Sequence, residues 1–212
     1  GLFEMAQRLR GMENAMLDPL MHPEFFDRLV AKLTDLKIEF WQMALTDLGD
    51  VVDVVVETDD YGTQQSMLIS PEQFRSAFKP HLARLFAEIK ANAPEAHLFF
   101  HSCGNVRPIL PDFIEIGVDI LNPVHIAAAG MAPLDLKRDF GDDIVFWGGG
   151  VETQEVLPGG TPDEVRENVR ANVTALAPGG GFVFNTVHNI LGEVPPDNIL
   201  AMWEALQEFG QY

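Results

Sequence analysis

Short apolar runs alternate five times with stretches of helical periodicity, and this alternation constrains the fold more than any other feature of the chain. The predicted strands are rich in Val, Ile, Leu and Phe and cover residues 51–57, 97–101, 118–122, 144–148 and 181–186. The predicted helices cover residues 1–48, 70–92, 106–116 and 133–140, then 161 to about 178, and 196 onward. Five strand–helix units in series predict an α/β fold whose parallel sheet is covered on both faces.

Two of these helices carry sequence signals for their first turn. In "SPEQ" (70–73) and "TPDE" (161–164) a hydroxyl residue is followed by proline and, three positions after the hydroxyl, by Gln or Glu. This is the pattern of a capping box with proline at the first helical position. We therefore expect helices to begin at residues 71 and 162.

The strand–helix series is compatible with a doubly wound sheet and with a (β/α)8 barrel. No G-x-G-x-x-G follows the first strand, and the glycine triplets at 148–150 and 179–181 lack that spacing, so dinucleotide binding is unsupported. A barrel needs eight units and typically about 250 residues. The five units here predict the later part of a TIM-barrel-like domain, with residues 1–212 as one domain and an N-terminal part absent, as the first residue, Gly1, also suggests.

Composition and charge exclude several classes of partner. The net charge is −18, which argues against nucleic acids and anionic membrane surfaces, since both reward Lys and Arg. A single cysteine excludes an internal disulfide and fits a reducing cytoplasm. No apolar run approaches the ~18 residues of a membrane span. We expect a cytoplasmic protein that acts on a small-molecule substrate.

In both architectures the chemistry is expected at the carboxyl ends of the strands. The residues just beyond the five strands include acids, amides, three of the six histidines and the lone cysteine. In chain order they are Asp59, Asp60 and Tyr61; His101, Cys103 and Asn105; Asn122 and His125; Glu152 and Gln154; and Asn185, His188 and Asn189.

The motif "HSCGN" (101–105) suggests a metal site. In an extended chain residues i and i+2 point to the same side, so the His101 imidazole and the Cys103 thiolate can converge on one ion. Zinc accepts both ligand types and, in catalytic sites, uses three protein ligands and one open position. His188 is the candidate third ligand. The alternative is that Cys103 is a small buried core residue.

The remaining strand-end residues divide into candidate catalytic and candidate substrate-binding groups. Adjacent acids can hold a substrate cation or raise one another's pKa, although they can equally cap a helix or face solvent. Glycines before Glu152 allow a ligand to approach the backbone closely. We expect catalytic roles for Asp60, Glu152 and His188, and substrate contacts from Asp59, Tyr61, Asn122, His125 and Asn185. Asp60, His101, Cys103, Glu152 and His188 are expected to line one cavity.

Several segments carry a family resemblance across the whole chain. "SPEQFRSAFKP", "HSCGNV", "GVDILNPV", "LKRDFGDDIVFWGGGVETQEVLPGGTPDEV" and "HNILGEVPPDNILAMWEA" resemble the uroporphyrinogen decarboxylase family, and more closely its corrinoid-linked methyltransferase branch. The chain matches about the last three-fifths of a family member. The resemblance implies a (β/α)8 barrel whose N-terminal portion is absent here.

The methyltransferase branch moves a methyl group between the cobalt of a corrinoid protein and a thiol such as coenzyme M. Its members hold zinc with a His-x-Cys pair and a later cysteine. The pair matches His101 and Cys103, and the later cysteine falls at about His188. The resemblance therefore implies zinc and a corrinoid-carrying partner protein, with a histidine in place of one thiolate.

Uroporphyrinogen decarboxylases, the other branch, remove carboxyl groups without a cofactor. Their key aspartate and arginines lie in the N-terminal part, and their late Gly-His-Gly corresponds here to "VHN" (187–189), in which His188 alone matches. Three hypotheses follow: a zinc-dependent corrinoid methyltransferase, a cofactor-free decarboxylase, and a non-catalytic fragment or scaffold. The scaffold would bind a partner, or dimerise, through unpaired strand edges.

Overall fold

The computed structural model describes residues 1–211, which form five strands and ten α-helices. The strands are β1 (Val54–Thr58), β2 (His97–His101), β3 (Ile120–Asn122), β4 (Val145–Trp147) and β5 (Phe182–Val183). The helices are α1 (Leu2–Arg10), α2 (Met12–Met21), α3 (Pro23–Leu48), α4 (Pro71–Ala77), α5 (Lys79–Asn92), α6 (Leu110–Glu115), α7 (Pro133–Phe140), α8 (Val156–Gly159), α9 (Pro162–Leu176) and α10 (Pro196–Phe209). The chain divides into two compact units, residues 1–120 and residues 121 onward.

The strands follow one another in the sheet in chain order, and the pairings within the units are parallel. In the first unit β1 pairs with β2 in a register that sets Thr58 beside His101. In the second unit β4 pairs with β5. The predicted α/β fold with five parallel strands is confirmed. The strand β2 has its predicted limits, whereas β1, β3, β4 and β5 are shorter than the sequence predicts.

Aromatic side chains form the core of the first unit. Tyr61 and the phenylalanines around it are fully buried. Ring centroids 4.9–6.4 Å apart connect Phe3, Phe26, Tyr61, Phe74, Phe78, Phe86, Phe100 and Phe113. Tyr61 lies in the loop that follows β1 and Phe100 lies in β2, so this core includes residues of both segments that carry predicted site residues.

Both predicted capping boxes are present. Gln73 N–H donates to Ser70 Oγ at 3.2 Å, and Glu164 N–H donates to Thr161 Oγ1 at 3.3 Å. The single helix predicted for residues 70–92 is, however, two helices that meet at Phe78. Pro80 lacks the N–H that would continue the first helix, which explains the break.

The first 48 residues form three helices, and the buried face of the longest one is not its most apolar stripe. Phe25, Leu36 and Phe40 are 41%, 49% and 55% exposed. The face of α3 that is buried is offset from this stripe and consists of Phe26, Val30, Thr34, Ile38 and Leu45. The periodicity predicts the helix correctly, but not the side that the core covers.

The second unit has its own core, in which α9 packs against α10. Val165, Val169 and Phe146 are fully buried there. The buried amide of Asn198 donates to the carbonyls of Leu157 and Gly160 at 2.9 and 2.8 Å, and so fixes the segment around α8. No helix among the described residues combines the length and the apolar character needed to cross a bilayer.

Candidate functional site

The loops that follow β1 and β2 stay joined by hydrogen bonds beyond the end of the strand pairing. Three hydrogen bonds link residues 59–61 to residues 101–103. They run from Asp59 N to His101 O (2.9 Å), from Tyr61 N to Ser102 Oγ (3.1 Å) and from Cys103 N to Asp60 Oδ1 (2.8 Å). Ser102 is fully buried. Ser102 was not among the predicted site residues, and its role in joining the loops becomes visible only through this hydrogen bond.

Two glycines allow these loops to touch. Asn105 N–H donates to Thr63 O at 2.8 Å. A Cβ on Gly62 would lie 2.6 Å from Cys103 O, and a Cβ on Gly104 would lie 2.4 Å from the Gly62 carbonyl carbon. Gly104 also has a φ of +81°, which side chains rarely adopt. The glycine in "HSCGN" was the sequence signal for this close approach.

Asp60, His101 and Cys103 form a group that could hold a metal ion. One ligand atom from each lies within 4.8 Å of the others. Cys103 Sγ lies 3.5 Å from His101 Nε2, which lies 3.8 Å from Asp60 Oδ1. Tetrahedral ligands at about 2.0–2.3 Å from one ion lie roughly 3.4–3.6 Å apart. The spacing therefore fits a shared cation.

The site is partly open and its thiol is protonated in the absence of a cation. The side chains of His101 and Asp60 are 35% and 43% exposed. Burial raises the pKa of Cys103 to about 11, and the Asp60 carboxylate adds to this shift. A bound divalent cation acts in the opposite direction, because it stabilises the thiolate.

Asp59 and Tyr61 are turned into the core, on either side of Asp60. Asp59 is fully buried and accepts hydrogen bonds from Phe3 N (2.7 Å), Glu4 N (2.9 Å) and Tyr61 Oη (2.8 Å). It therefore caps the first turn of α1. Burial raises the pKa of Asp59 to about 6, against the effect of the N-terminal amine and these donors. Substrate contacts from this pair stay a prediction; the structure gives both residues a supporting role.

The carboxylate of Glu152 is also engaged, by backbone N–H groups of the residues that follow it. Glu152 is 8% exposed, and its carboxylate accepts N–H groups from Gln154 (2.6 Å), Glu155 (2.8 Å) and Val156 (2.8 Å). These amides belong to the first turn of α8 and the loop before it. A catalytic role for Glu152 stays a prediction, and the observed geometry is that of a loop and helix cap.

The other predicted site residues lie in the second unit. Asn122 is buried and donates to Trp147 O at 2.8 Å, and the buried His125 lies 3.4 Å from Gln154 Oε1 through Nε2. Asn185 and His188 are exposed. Their parts in substrate or metal binding stay predictions.

Comparison with known proteins shows which family the chain resembles. The sequence model of the family "Uroporphyrinogen decarboxylase (URO-D)" matches residues 3–209. The uroporphyrinogen decarboxylase of Thermus thermophilus is 28% identical over 141 residues, which make up 66% of this chain and 38% of that protein. The uroporphyrinogen decarboxylase of Coxiella burnetii is 25% identical over 189 residues, or 88% of this chain and 48% of that protein. The chain thus spans about half the length, or less, of these curated relatives.

A solved structure has the same fold. A methyltransferase from Methanosarcina mazei superposes with a TM-score of 0.76 at 20% identity, covering 100% of this chain and 57% of that one. This likeness confirms the TIM-barrel-like α/β fold. Because the family model matches nearly the whole chain, the protein belongs to the uroporphyrinogen decarboxylase (URO-D) family.

Proposed function

We propose that the protein transfers a methyl group between a corrinoid protein and a thiol, at a zinc ion held by His101 and Cys103. The observation that carries this proposal is the 3.5 Å approach of Cys103 Sγ to His101 Nε2, with the Asp60 carboxylate beside them. Sulfur, imidazole and carboxylate ligands suit zinc. The fold shared with a methyltransferase supports the same reading.

Zinc, when bound, would lower the pKa of an incoming thiol and fix the position of its sulfur. The chain's own residues have the task of building that site. His101 offers an imidazole nitrogen, Cys103 would offer its sulfur as a thiolate once a cation is bound, and three hydrogen bonds between residues 59–61 and 101–103 hold the two loops together. The partial exposure of His101 and Asp60 leaves room for a thiol and for a corrinoid carried by a partner.

The proposed transfer balances without an oxidant or a reductant. The thiol gives up its proton to solvent and its sulfur forms a bond to the methyl carbon. The cobalt–carbon bond breaks, and its electron pair stays on cobalt. The protein therefore needs to orient the sulfur of the incoming thiol. A metal ion held by His101 and Cys103 would do this.

A second candidate is decarboxylation without a cofactor. The observation that favours it is that the curated relatives above are uroporphyrinogen decarboxylases. In this case His101 and Cys103 would be supporting residues, and no metal would be required.

Zinc stoichiometry tests the proposal. The purified protein is expected to hold about one zinc per chain by elemental analysis and to methylate a thiol from methylcobalamin. Cys103→Ser should lose both properties, because two remaining ligands rarely retain zinc. His125→Ala is the control and should keep its zinc. A wild-type protein that cannot be loaded with zinc would overturn the proposal and place decarboxylation, assayed on uroporphyrinogen, first.

A further inference from the structure

We infer that Asp60 is the third protein ligand of the metal ion, an inference that rests on the proposed function. The family resemblance puts a cysteine at about His188 in that role, and the structure offers a carboxylate beside the His-x-Cys pair instead. Asp60 lies in the same compact unit as His101 and Cys103, and its oxygen belongs to the group of ligand atoms within 4.8 Å of one another.

The distances favour ligation over direct hydrogen bonding. Asp60 Oδ1 lies 3.8 Å from His101 Nε2, which is too far for a hydrogen bond. Oxygen and nitrogen ligands of one tetrahedral ion lie about 3.4 Å apart. A small closing movement of a half-exposed side chain covers the difference.

The backbone presets the Asp60 carboxylate for this task. Asp59 and Tyr61 are anchored in the core on either side of it, so the alternation of an extended chain turns Asp60 toward the site. Oδ1 accepts the N–H of Cys103 at 2.8 Å, which ties the carboxylate to the thiol-bearing residue. Carboxylates that bind metals are usually held by such hydrogen bonds.

Charge supports the same assignment. As ligands of a bound cation, a carboxylate, a thiolate and an imidazole would together carry two negative charges, which balance a divalent ion. Two imidazoles and one thiolate leave the site one charge more positive. Asp60 thus restores the charge that a second cysteine would have supplied.

Asp60→Asn is the decisive variant, since the amide oxygen can still accept the Cys103 N–H while the anionic ligand is lost. We expect zinc affinity, measured by competition with a chromophoric chelator, to fall at least about 100-fold. His188→Gln is the matched variant and should bind zinc like the wild type. If Asp60→Asn binds zinc as tightly as the wild type does, the inference is overturned while the proposed function stands. A wild-type protein without zinc affinity would instead end both.

A sulfur count at the metal gives an independent answer. X-ray absorption at the zinc edge should show one sulfur neighbour at about 2.3 Å in the wild type. Asp60→Cys should raise this count to two, and His188→Cys should leave it at one. One sulfur in Asp60→Cys, together with two in His188→Cys, would assign the third position to His188 and overturn the inference.

Discussion

Asp60 and Glu152 each follow a strand of a parallel pair, yet their carboxylates are used in opposite ways. Glu152 is 8% exposed and accepts three backbone N–H groups of its own loop and helix. The Asp60 side chain is 43% exposed. It accepts the N–H of Cys103 and lies beside the His101 imidazole and the Cys103 sulfur. A position at the carboxyl end of a strand is therefore not enough to make an acid functional. What matters is whether its oxygens are already committed to the backbone.

The adjacent pair Asp59 and Asp60 shows the same contrast within two residues. Asp59 points into the core and holds the first turn of α1, while Asp60 points toward the metal-binding group. Neither acid can exchange roles with the other, because successive side chains of an extended segment face opposite sides.

The stabilities of variants at Glu152 and Asp60 test this difference most directly. Glu152→Ala should lower the free energy of unfolding by about 4 kcal/mol, since three partly buried N–H groups lose a charged acceptor. Asp60→Ala should lower it by about 1 kcal/mol in the absence of metal, because Cys103 N–H alone loses its partner. Urea unfolding of chelator-treated protein measures both values. Equal losses for the two variants would mean that Asp60 is a structural acid as well.

Local signals in the sequence predicted the elements that local interactions determine. The capping boxes at Ser70 and Thr161 and the limits of β2 agree with the structure, because helix caps and β-branched or aromatic runs act over a few residues. The motif "HSCGN" likewise placed His101 and Cys103 together, since residues i and i+2 of one strand end share a side.

Features that depend on distant partners were not predictable in the same way. Phe25, Leu36 and Phe40 of α3 recur at the spacing of one helix face, yet they are 41%, 49% and 55% exposed, because the packing of neighbouring elements decides which face is covered. The role of Asp59 depends on the docking of α1, which lies more than fifty residues earlier. The sequence placed Asp60 in one cavity with His101 and Cys103 and suggested it as a catalyst, but it named His188 rather than Asp60 as the third candidate ligand.

The buried carboxyl of Asp59 should make the stability of the protein depend on pH. Burial raises the folded-state pKa of Asp59 to about 6, above the value of about 3.9 in an unfolded chain. Between these values the folded protein binds more protons than the unfolded chain, so the contribution of Asp59 is fully present below about pH 4 and is lost as the pH rises through 6. The loss amounts to about 3 kcal/mol.

The difference between wild type and Asp59→Asn isolates this contribution from that of the other carboxylates. We expect the stability of the wild type relative to Asp59→Asn to fall between pH 4 and pH 7, as measured by urea unfolding at each pH. A relative stability that is constant over this range would show that the Asp59 carboxyl is no harder to ionise in the fold than in the unfolded chain.

Two glycines with nearly equal positive φ angles test how tightly the loops around Asp60 and Cys103 are joined. Gly104 and Gly180 have φ values of +81° and +84°. A Cβ on Gly104 would lie 2.4 Å from the Gly62 carbonyl carbon, whereas a Cβ on Gly180 would have no heavy atom within 4 Å. Alanine at Gly180 therefore carries only the cost of the left-handed conformation, about 1 kcal/mol. Alanine at Gly104 adds a collision with backbone that cannot rotate away, so its cost should be about 2 kcal/mol larger.

Because the collision separates residues 59–63 from residues 101–105, Gly104→Ala should also weaken zinc binding, while Gly180→Ala should not. If urea unfolding gives equal losses for the two variants and zinc affinity is unchanged in both, the close contact of the loops has no part in building the site.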